Sequence, residues 1–472
     1  MKECAKAYLE KMGYKVNSNA LSIIQMCDDW YANRVISDFH KRQNLNRKEI
    51  ELKRMNFAKR CCADDANLCE IVSVAPEKES TAEGFIKLLL ENNRFDVRYR
   101  EQLEKVSATG TAGAYIYLQN ANYMKDRAGN ISVKGGKICI NYVDADCIIP
   151  LTVENKLVTE CAFCATNTVK AKEKTTLVIF TKEQVGDKVL YKADTVVFDE
   201  HGREVTGECN SIQLGEVKPF SVMINAEVNN LDDMEGYGLP KVYNNIPLFM
   251  AVDLCYNLLF GDLDKGEKLV FINELLSCLK IDKNGEAQLT PQQKDLFILL
   301  GEKLPQEKSV IQEYNPEIRI EQITKAFELV LSLLSMSFGY GTKKYTFENG
   351  RITTATEYIG TKQDSMQELN KQRKQATDYI TDIIHAAMWF SNQFSGTSYN
   401  VQEQLSIEFD DSYITDKESE LERKRNDALS FDIPQLTIWY LMDAYNIPEE
   451  QAKEMVEQKQ KEEEKNPDDE ED

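Results

Sequence analysis

The middle of the chain, from about residue 110 to 225, consists of short segments in which apolar and polar residues alternate. Examples are 114–118, 138–142, 176–180 and 189–191. Turn signals such as Ala128-Gly129-Asn130 and Gly135-Gly136 separate these segments. Alternation with a period of two residues is typical of half-buried strands, and short strands separated by turns favour antiparallel pairing. The sequence therefore predicts an antiparallel β-rich region here, which excludes an all-helical protein.

Helical spacing of apolar residues occurs on both sides of this region. The predicted helical stretches are 1–70, 81–103, about 239–260, 321–338 and 354–394, followed by a strand at 405–409 and two or three C-terminal helices. A small mixed module with a strand at 268–273 separates the third stretch from the fourth. Because helices and strands occur in separate runs, the predicted fold class is α+β.

The charge and cysteine content restrict the function classes. The chain has 57 Lys and Arg against 78 Asp and Glu, which gives a formal net charge of −21. Tight binding of DNA over the whole surface is excluded, because phosphate affinity comes from clustered cations. No uninterrupted apolar stretch is long enough for a membrane span, so no membrane partner is expected. Twelve cysteines without an apolar leader predict reduced thiols in a cytosol.

The common catalytic motifs are absent from the sequence. It contains no HExxH, no Gly-x-Ser-x-Gly and no phosphate-binding loop, and its histidines are His40, His201 and His385. Cys161 and Cys164 have metal-ligand spacing, but residues i and i+3 of a strand point to opposite faces. We therefore expect buried hydrophobes at both positions and no bound metal.

Two carboxylate pairs, Asp144 with Asp146 and Asp262 with Asp264, lack an evident third ligand and are expected to be solvated. Together with the cysteine pair they leave open one alternative, a cytosolic metal- or nucleotide-dependent enzyme. A second alternative is an assembly scaffold that conducts no DNA and binds proteins through its C-terminal helices. The interpretation favoured by the missing motifs is a non-enzymatic protein without a cofactor.

Several local patterns occur together and in a fixed order along the chain. They are Gly113-Ala-Tyr115 before a strand, the run 141–150, Gly236-Tyr-Gly238 before a helix that carries Asp253-Leu-Cys-Tyr256, the run 337–341, the loop 345–350, and Thr354-Ala-Thr-Glu357 opening a long helix. Ile433-Pro434 and Ile447-Pro448 punctuate the C-terminal helices. This succession, over roughly residues 20–460, resembles the portal (head-to-tail connector) proteins of tailed bacteriophages with long non-contractile tails.

The resemblance implies a fold with a helical and β-rich wing, a two-helix stem, a small α/β clip, a long tunnel helix and a helical crown. The implied divisions are the wing at 1–238, stem helix 1 at 239–261, the clip at 262–320, stem helix 2 at 321–338, the tunnel loop at 339–352, the long helix with a wing return strand at 353–415, the crown at 416–460 and an acidic disordered tail at 461–472. Apolar residues on more than one face of both stem helices agree with burial between symmetric copies.

The resemblance also implies function and partners. It implies a homo-oligomeric ring, usually of twelve subunits, at one vertex of the capsid, assembled in the cytoplasm of the host bacterium and retained in the virion. Double-stranded DNA would be packaged through the ring by the terminase large subunit and later ejected through it. Major capsid and scaffold proteins and a head-completion adaptor protein are the other implied partners.

The implied tunnel loop contains a small basic and aromatic cluster, Tyr340, Lys343, Lys344 and Tyr345. On this loop, the two lysines are expected to contact DNA weakly and without sequence preference, while the acidic remainder lets the duplex slide. At the start of the long helix, Thr354 and Glu357 have the spacing of a capping box.

Overall fold

The protein contains both helices and sheets, with most strands between residues 111 and 224, which is compatible with the α+β prediction. The computed structural model describes residues 3–34, 38–43, 49–125, 131–169, 172–205, 207, 209–266, 269–273, 297–300, 311–314, 317–342, 344–345, 347, 355–410, 417–431, 433–445, 447–448, 451–456 and 458. The predicted turn and short helix at 282–296 and the acidic tail at 461–472 lie outside these residues.

The helices are numbered in chain order. They are α1 (Glu3–Lys11), α2 (Ser18–Tyr31), α3 (Phe57–Ala66), α4 (Glu83–Asn92), α5 (Phe95–Thr109), α6 (Lys241–Lys265), α7 (Ile320–Ser337), α8 (Ala355–Ser395), α9 (Lys417–Phe431) and α10 (Pro434–Tyr445). The predicted helices at 239–260, 321–338 and 354–394 are thereby confirmed to within a few residues at each end, apart from the first, which continues to Lys265.

The strands are numbered in the same way. They are β1 (Lys41–Gln43), β2 (Glu49–Glu51), β3 (Ile71–Pro76), β4 (Thr111–Gln119), β5 (Asn122–Lys125), β6 (Ile131–Lys134), β7 (Lys137–Asp144), β8 (Ile148–Glu154), β9 (Leu157–Val169), β10 (Lys172–Val185), β11 (Lys188–Phe198), β12 (Asn210–Gln213), β13 (Phe220–Ile224), β14 (Leu269–Asn273), β15 (Phe297–Leu300), β16 (Ile311–Tyr314) and β17 (Leu405–Phe409). The predicted β-rich region at 110–225 and the strand at 405–409 are confirmed.

The β-rich region forms two principal sheets. One has the strand order β13-β4-β7 and the other the order β12-β11-β10-β9-β8, and every neighbouring pair in both is antiparallel. Smaller sheets pair β1 with β2, β5 with β6, and β17 with β3. In the module between α6 and α7, the order is β15-β14-β16, with β14 and β15 parallel. One of these pairings, β3 with β17, joins segments more than 300 residues apart.

The five-stranded sheet is buried on both faces. On β9, Cys161 and Phe163 belong to the main core, which also contains residues of α3, α5 and α8. Ala162 and Cys164 point the other way, into a second core that α1 covers. Period-two alternation thus places successive residues of one strand in two different cores, each of which removes apolar surface from water.

The predicted single helix at 81–103 is wrong, because α4 and α5 are separated at Asn93 and Arg94. The Asn93 side chain ends α4 by donating from Nδ2 to the Leu89 carbonyl oxygen at 2.8 Å. Its Oδ1 accepts from the amide of Ile140 on β7 at 2.9 Å. Arg94 then adopts the left-handed conformation, with φ of 49°. A side chain that caps a helix and binds a strand stops the helix where the apolar periodicity alone does not.

Two glycines, Gly110 and Gly238, meet directly before α6. Gly110 ends α5 in the left-handed region, with φ of +82°, and its carbonyl oxygen accepts from the Asn225 amide at 2.9 Å. The backbone of Gly238 lies against Gly110, and its amide donates to Thr111 Oγ1 at 3.0 Å. A Cβ at either glycine would overlap the other's carbonyl oxygen. The close backbone approach therefore fixes the start of α6 on the α5–β4 turn.

Within the described residues, α6 is the one helix whose length and apolar composition would suffice to cross a membrane, over Lys241–Asp264 with a mean hydropathy of 1.4. Core helices of soluble proteins share this composition. Val242, Phe249 and Val252 of α6 are buried in the main core, and so are the polar side chains of Lys241 and Asp253.

Candidate functional site: the α6–α7 helix pair and the segment after it

Helices α6 and α7 pack against each other and run in opposite directions. Near the end of α6, Asp262 accepts two hydrogen bonds from Arg319, which precedes α7: from Nε to Oδ2 at 3.0 Å and from Nη2 to Oδ1 at 2.7 Å. Towards the opposite end, the rings of Phe249 and Phe338 lie 6.3 Å apart between centroids. The antiparallel pair is therefore tied at one end by a two-point ion pair and packed at the other by aromatic rings.

Helix α7 is apolar on two sides. One stripe is buried against the chain and consists of Ile323, Phe327, Leu331 and Leu334. A second stripe, which we name the outer face of α7, consists of Leu329, Leu333 and Met336, with exposed fractions of 63%, 40% and 55%. Leu258 and Leu263 of α6 are exposed as well. The predicted presence of apolar residues on more than one face is confirmed for α7, and exposed apolar surface of this kind marks interaction sites.

Helix α6 is held by the β1–β2 hairpin and the residues after it. His40 is fully buried, and its Nε2 lies 3.0 Å from Asp253 Oδ2, while Asp253 Oδ1 accepts from the Met55 amide at 2.8 Å. One turn further along α6, Asn257 accepts from the Lys53 amide and donates to the Lys53 carbonyl oxygen. No local pattern signals the role of His40, because 213 residues separate it from its partner Asp253.

The chain reverses sharply after α7. Gly339 and Gly341 have φ values of +82° and +71°, a region that glycine enters without steric cost. Between them, Tyr340 is only 3% exposed, and its ring stacks on Phe338. The amide of Tyr340 donates to the Ser335 carbonyl oxygen at 3.0 Å, and the Lys344 amide donates to Ser335 Oγ at 3.3 Å. The two glycines thus turn the tyrosine ring inward.

Two neighbouring carboxylates on α3 receive the phenols of this segment. Tyr340 donates to Asp65 Oδ1 at 3.0 Å, and Tyr345 donates to Asp64 Oδ2 at 3.1 Å. Each carboxylate also binds one cation: Lys241 Nζ lies 2.9 Å from Asp65 Oδ1, and Arg60 Nε lies 2.9 Å from Asp64 Oδ2. We name these four contacts the α3 acid cluster.

Burial raises the pKa of both phenols, and the adjacent acids raise it further. For Tyr340 the carboxylate of Asp65 adds to the effect of burial, and for Tyr345 the groups that add to it are Cys61 and Asp64. A raised phenol pKa keeps both hydroxyls protonated at neutral pH, so both remain hydrogen-bond donors.

The predicted tunnel-loop residues therefore differ in their placement. Tyr340 and Tyr345 are buried against α3, and their assignment to a tunnel loop remains a prediction. Lys344 is half-buried, and its ammonium lies 5.7 Å from the centroid of the Tyr340 ring. Lys343 and Thr354 lie outside the described residues, as does the side chain of Glu357. The contact of the lysines with DNA and the capping box remain predictions.

The cysteine pair of β9 is split between two cores. The Cα of Cys161 pairs with Phe180 of β10, and Cys164 pairs with Leu177, so the two side chains leave opposite faces of the sheet as predicted. Burial raises the pKa of the Cys161 thiol, which favours the neutral form over a metal-binding thiolate. Across the described residues, no group of three or more His, Cys, Asp and Glu side chains is arranged to hold a metal ion.

The carboxylate pair at 144 and 146 lies beside a lysine. Lys105 Nζ is 3.0 Å from Asp28 Oδ1 and 3.8 Å from Asp144 Oδ2. Burial lowers the pKa of Lys105, but hydrogen bonding to Asp28 and the charges of Asp144 and Asp146 outweigh it, and the net pKa is raised. Burial raises the pKa of Asp144. The ammonium group of Lys105 therefore lies where a cation shared by Asp144 and Asp146 would have to bind.

Comparisons with known proteins add little to what the geometry of the site shows. No family model matches the chain, and no curated protein matches it. Among solved structures, one match is described as the neck of a native GTA particle computed with C12 symmetry, with a TM-score of 0.34 and 10% sequence identity. The alignment covers 77% of this chain and 83% of that chain. A likeness of this degree carries no argument about fold or function.

Proposed function

We propose that this chain is a phage portal protein that forms a ring at one capsid vertex. The observation that carries the proposal is the outer face of α7, an apolar stripe left exposed on a helix whose other side is already buried. Fully burying an exposed leucine or methionine side chain contributes about 1.5–3 kcal/mol. Because Leu329, Leu333 and Met336 are only partly exposed, covering each contributes a fraction of that value, and the three together favour association. A ring brings identical copies side by side and covers this stripe in every one of them.

The order of elements supports the same proposal. An antiparallel helix pair joined by a small three-stranded module is the arrangement that an implied stem and clip would require, and a β-rich region precedes this pair while a long helix and further helices follow it. In this proposal the divisions are those inferred from the sequence, from the wing at 1–238 to the crown at 416–460. The chain itself performs no catalysis and binds no cofactor.

The charge of the chain supports a conduit for DNA. With a net charge of −21 per copy, a ring repels phosphate over most of its surface, so a duplex passes without being held. Within the proposal, double-stranded DNA is packaged by the terminase large subunit and later ejected. The ring also binds major capsid and scaffold proteins and a head-completion adaptor, and it remains in the virion.

The proposal is tested by native mass spectrometry and negative-stain imaging of the purified protein. We expect a closed ring with a central hole. The double variant Leu329→Glu/Met336→Glu places two charges on the outer face of α7 and should abolish ring formation while leaving the subunit folded, as judged by circular dichroism. Val228→Glu is the matched control, because Val228 is an apolar side chain that is 82% exposed elsewhere.

Two results would contradict the proposal. One is a protein that stays monomeric under all conditions, including mixtures with capsid and scaffold proteins. The other is a ring that forms equally well in the double variant and in Val228→Glu, because association would then not depend on the outer face of α7.

A further inference from the structure

A single carboxylate oxygen joins three elements that are distant in sequence. Asp65 Oδ1, on α3, accepts from Lys241 Nζ at 2.9 Å and from Tyr340 OH at 3.0 Å. Lys241 is the first residue of α6, and Tyr340 follows α7. The start of one helix of the pair and the segment after the other thus bind the same atom.

The contacts are shielded from water, which makes them interdependent. The side chain of Lys241 is 4% exposed and that of Asp65 is 14% exposed. Leaving a carboxylate without a cation in a site shielded from water costs free energy. Hydrogen bonds to charged acceptors are also stronger than those to neutral ones. If Lys241 moves away, the carboxylate loses its cationic partner and turns toward water for solvation, which draws its oxygen away from the Tyr340 hydroxyl.

The neighbouring carboxylate provides an internal comparison. Asp64 also binds one cation and one phenol, but the cation is Arg60 of the same helix. The bond between Asp64 and Tyr345 therefore depends on α3 alone. Of the two phenol–carboxylate bonds, the one at Asp65 includes a group from α6.

We infer that Asp65 couples the position of the start of α6 to the retention of the Tyr340 side chain at its buried site. Displacement of Lys241 releases the tyrosine, and the left-handed glycines on either side of it, Gly339 and Gly341, allow its ring to leave without distorting α7. The coupling is a property of the subunit and does not depend on the proposed function. Where that function holds, the coupling transmits a movement of the stem to the segment that follows it.

The test is a double-mutant cycle on the full-length protein, read by hydrogen exchange of two amides. The reporters are the amides of Tyr340 and Lys344, which both bind Ser335. Losing a hydrogen bond to a charged group corresponds to roughly tenfold faster exchange or more, so Lys241→Met and Tyr340→Phe should each produce at least about a tenfold increase. In the double variant the two effects should not multiply, and in Asp65→Ala, which has no acceptor, neither substitution should add to the exchange rate.

Arg60→Met is the matched control. It removes the cation from the neighbouring carboxylate, Asp64, while Asp65 and Lys241 stay in place, so exchange of the Tyr340 amide should be unchanged. If Lys241→Met does not fold, Lys241→Leu, which also lacks a donor, replaces it and is interpreted in the same way.

Unchanged exchange in the Lys241 variant overturns the coupling, and so does full multiplication of its effect with that of Tyr340→Phe. The mass of the wild-type assembly is measured separately. A monomeric wild type with the expected exchange pattern supports the coupling and contradicts the ring, whereas a ring with unchanged exchange does the reverse.

Discussion

At the scale of single residues, the contact between Gly110 and Gly238 determines where α6 begins. Gly110 closes α5 with a positive φ, and Gly238 brings its backbone against it in the last residues before α6. Neither position has room for a side chain. Gly238 belongs to the Gly236-Tyr-Gly238 pattern noted in the sequence, but its contact with Gly110 forms only in the folded chain.

Gly238→Ala tests this contact. The new Cβ would lie 2.7 Å from the Asn225 amide nitrogen and would overlap the Gly110 carbonyl oxygen, so the backbone must shift. We expect the free energy of unfolding to fall by about 3 kcal/mol, measured by urea denaturation. Gly84→Ala in α4 is the control, because no atom lies near its Cβ, and it should stabilise by about 0.5–1 kcal/mol. Equal effects of the two variants would refute the close approach.

At the scale of elements, polar contacts with residues 40–55, in the N-terminal part of the chain, hold α6 in position. Asp253 and Asn257 lie one turn apart on the same side of the helix and bind His40, Met55 and Lys53. These contacts also explain why residues 1–70 are not helical throughout, in contrast to the prediction. The β1–β2 hairpin interrupts them, and the Leu52 amide donates to the His40 carbonyl oxygen at its base.

Asp253→Ala should detach the hairpin from α6. It leaves the His40 ring and the Met55 amide without their carboxylate, and each buried polar group deprived of its partner costs about 1–3 kcal/mol. We expect faster hydrogen exchange in β1 and β2 and a lower thermal midpoint. Asp264→Ala, an exposed acid on the same helix, is the control and should change neither. Indistinguishable behaviour of the two variants would argue against the clamp.

At the scale of the whole molecule, two features bear on the proposed ring. The outer face of α7 leaves three apolar side chains exposed on one stripe, and the chain carries a large negative charge. Under the proposed function, closure of copies into a ring would cover the stripe, and the negative charge would let a duplex pass without being held. The lysines after α7 are the groups that the proposal assigns to contact with DNA.

Lys343→Glu/Lys344→Glu tests that contact. If these lysines face DNA, the variant should form rings normally and impair packaging or retention of DNA, because phosphate contacts are replaced by repulsion. Packaged DNA per particle is the measurement. Lys78→Glu/Lys87→Glu makes the same change of charge at exposed positions of the β3–α4 region and should package normally. Normal packaging by the Lys343/Lys344 variant would show that neither lysine contacts the passing DNA.

Much of the element order was predictable because local periodicity encodes it. The alternation within 110–225, Pro240 before α6, and the apolar spacing of α7 and α8 depend on neighbours a few residues apart. The split of Cys161 and Cys164 between two faces follows from the period of a strand in the same way. The break at Asn93 was missed because its cause is a contact with β7, a strand more than forty residues later.

The sequence by itself determined the types of elements, their order and the acidic character of the surface, since these follow from short-range pattern and composition. Only the tertiary structure decided that Tyr340 and Tyr345 turn inward to Asp65 and Asp64, and that His40 belongs with Asp253. Such partners lie more than 200 residues apart, and a buried polar group selects its partner by geometry that exists only after the chain has closed.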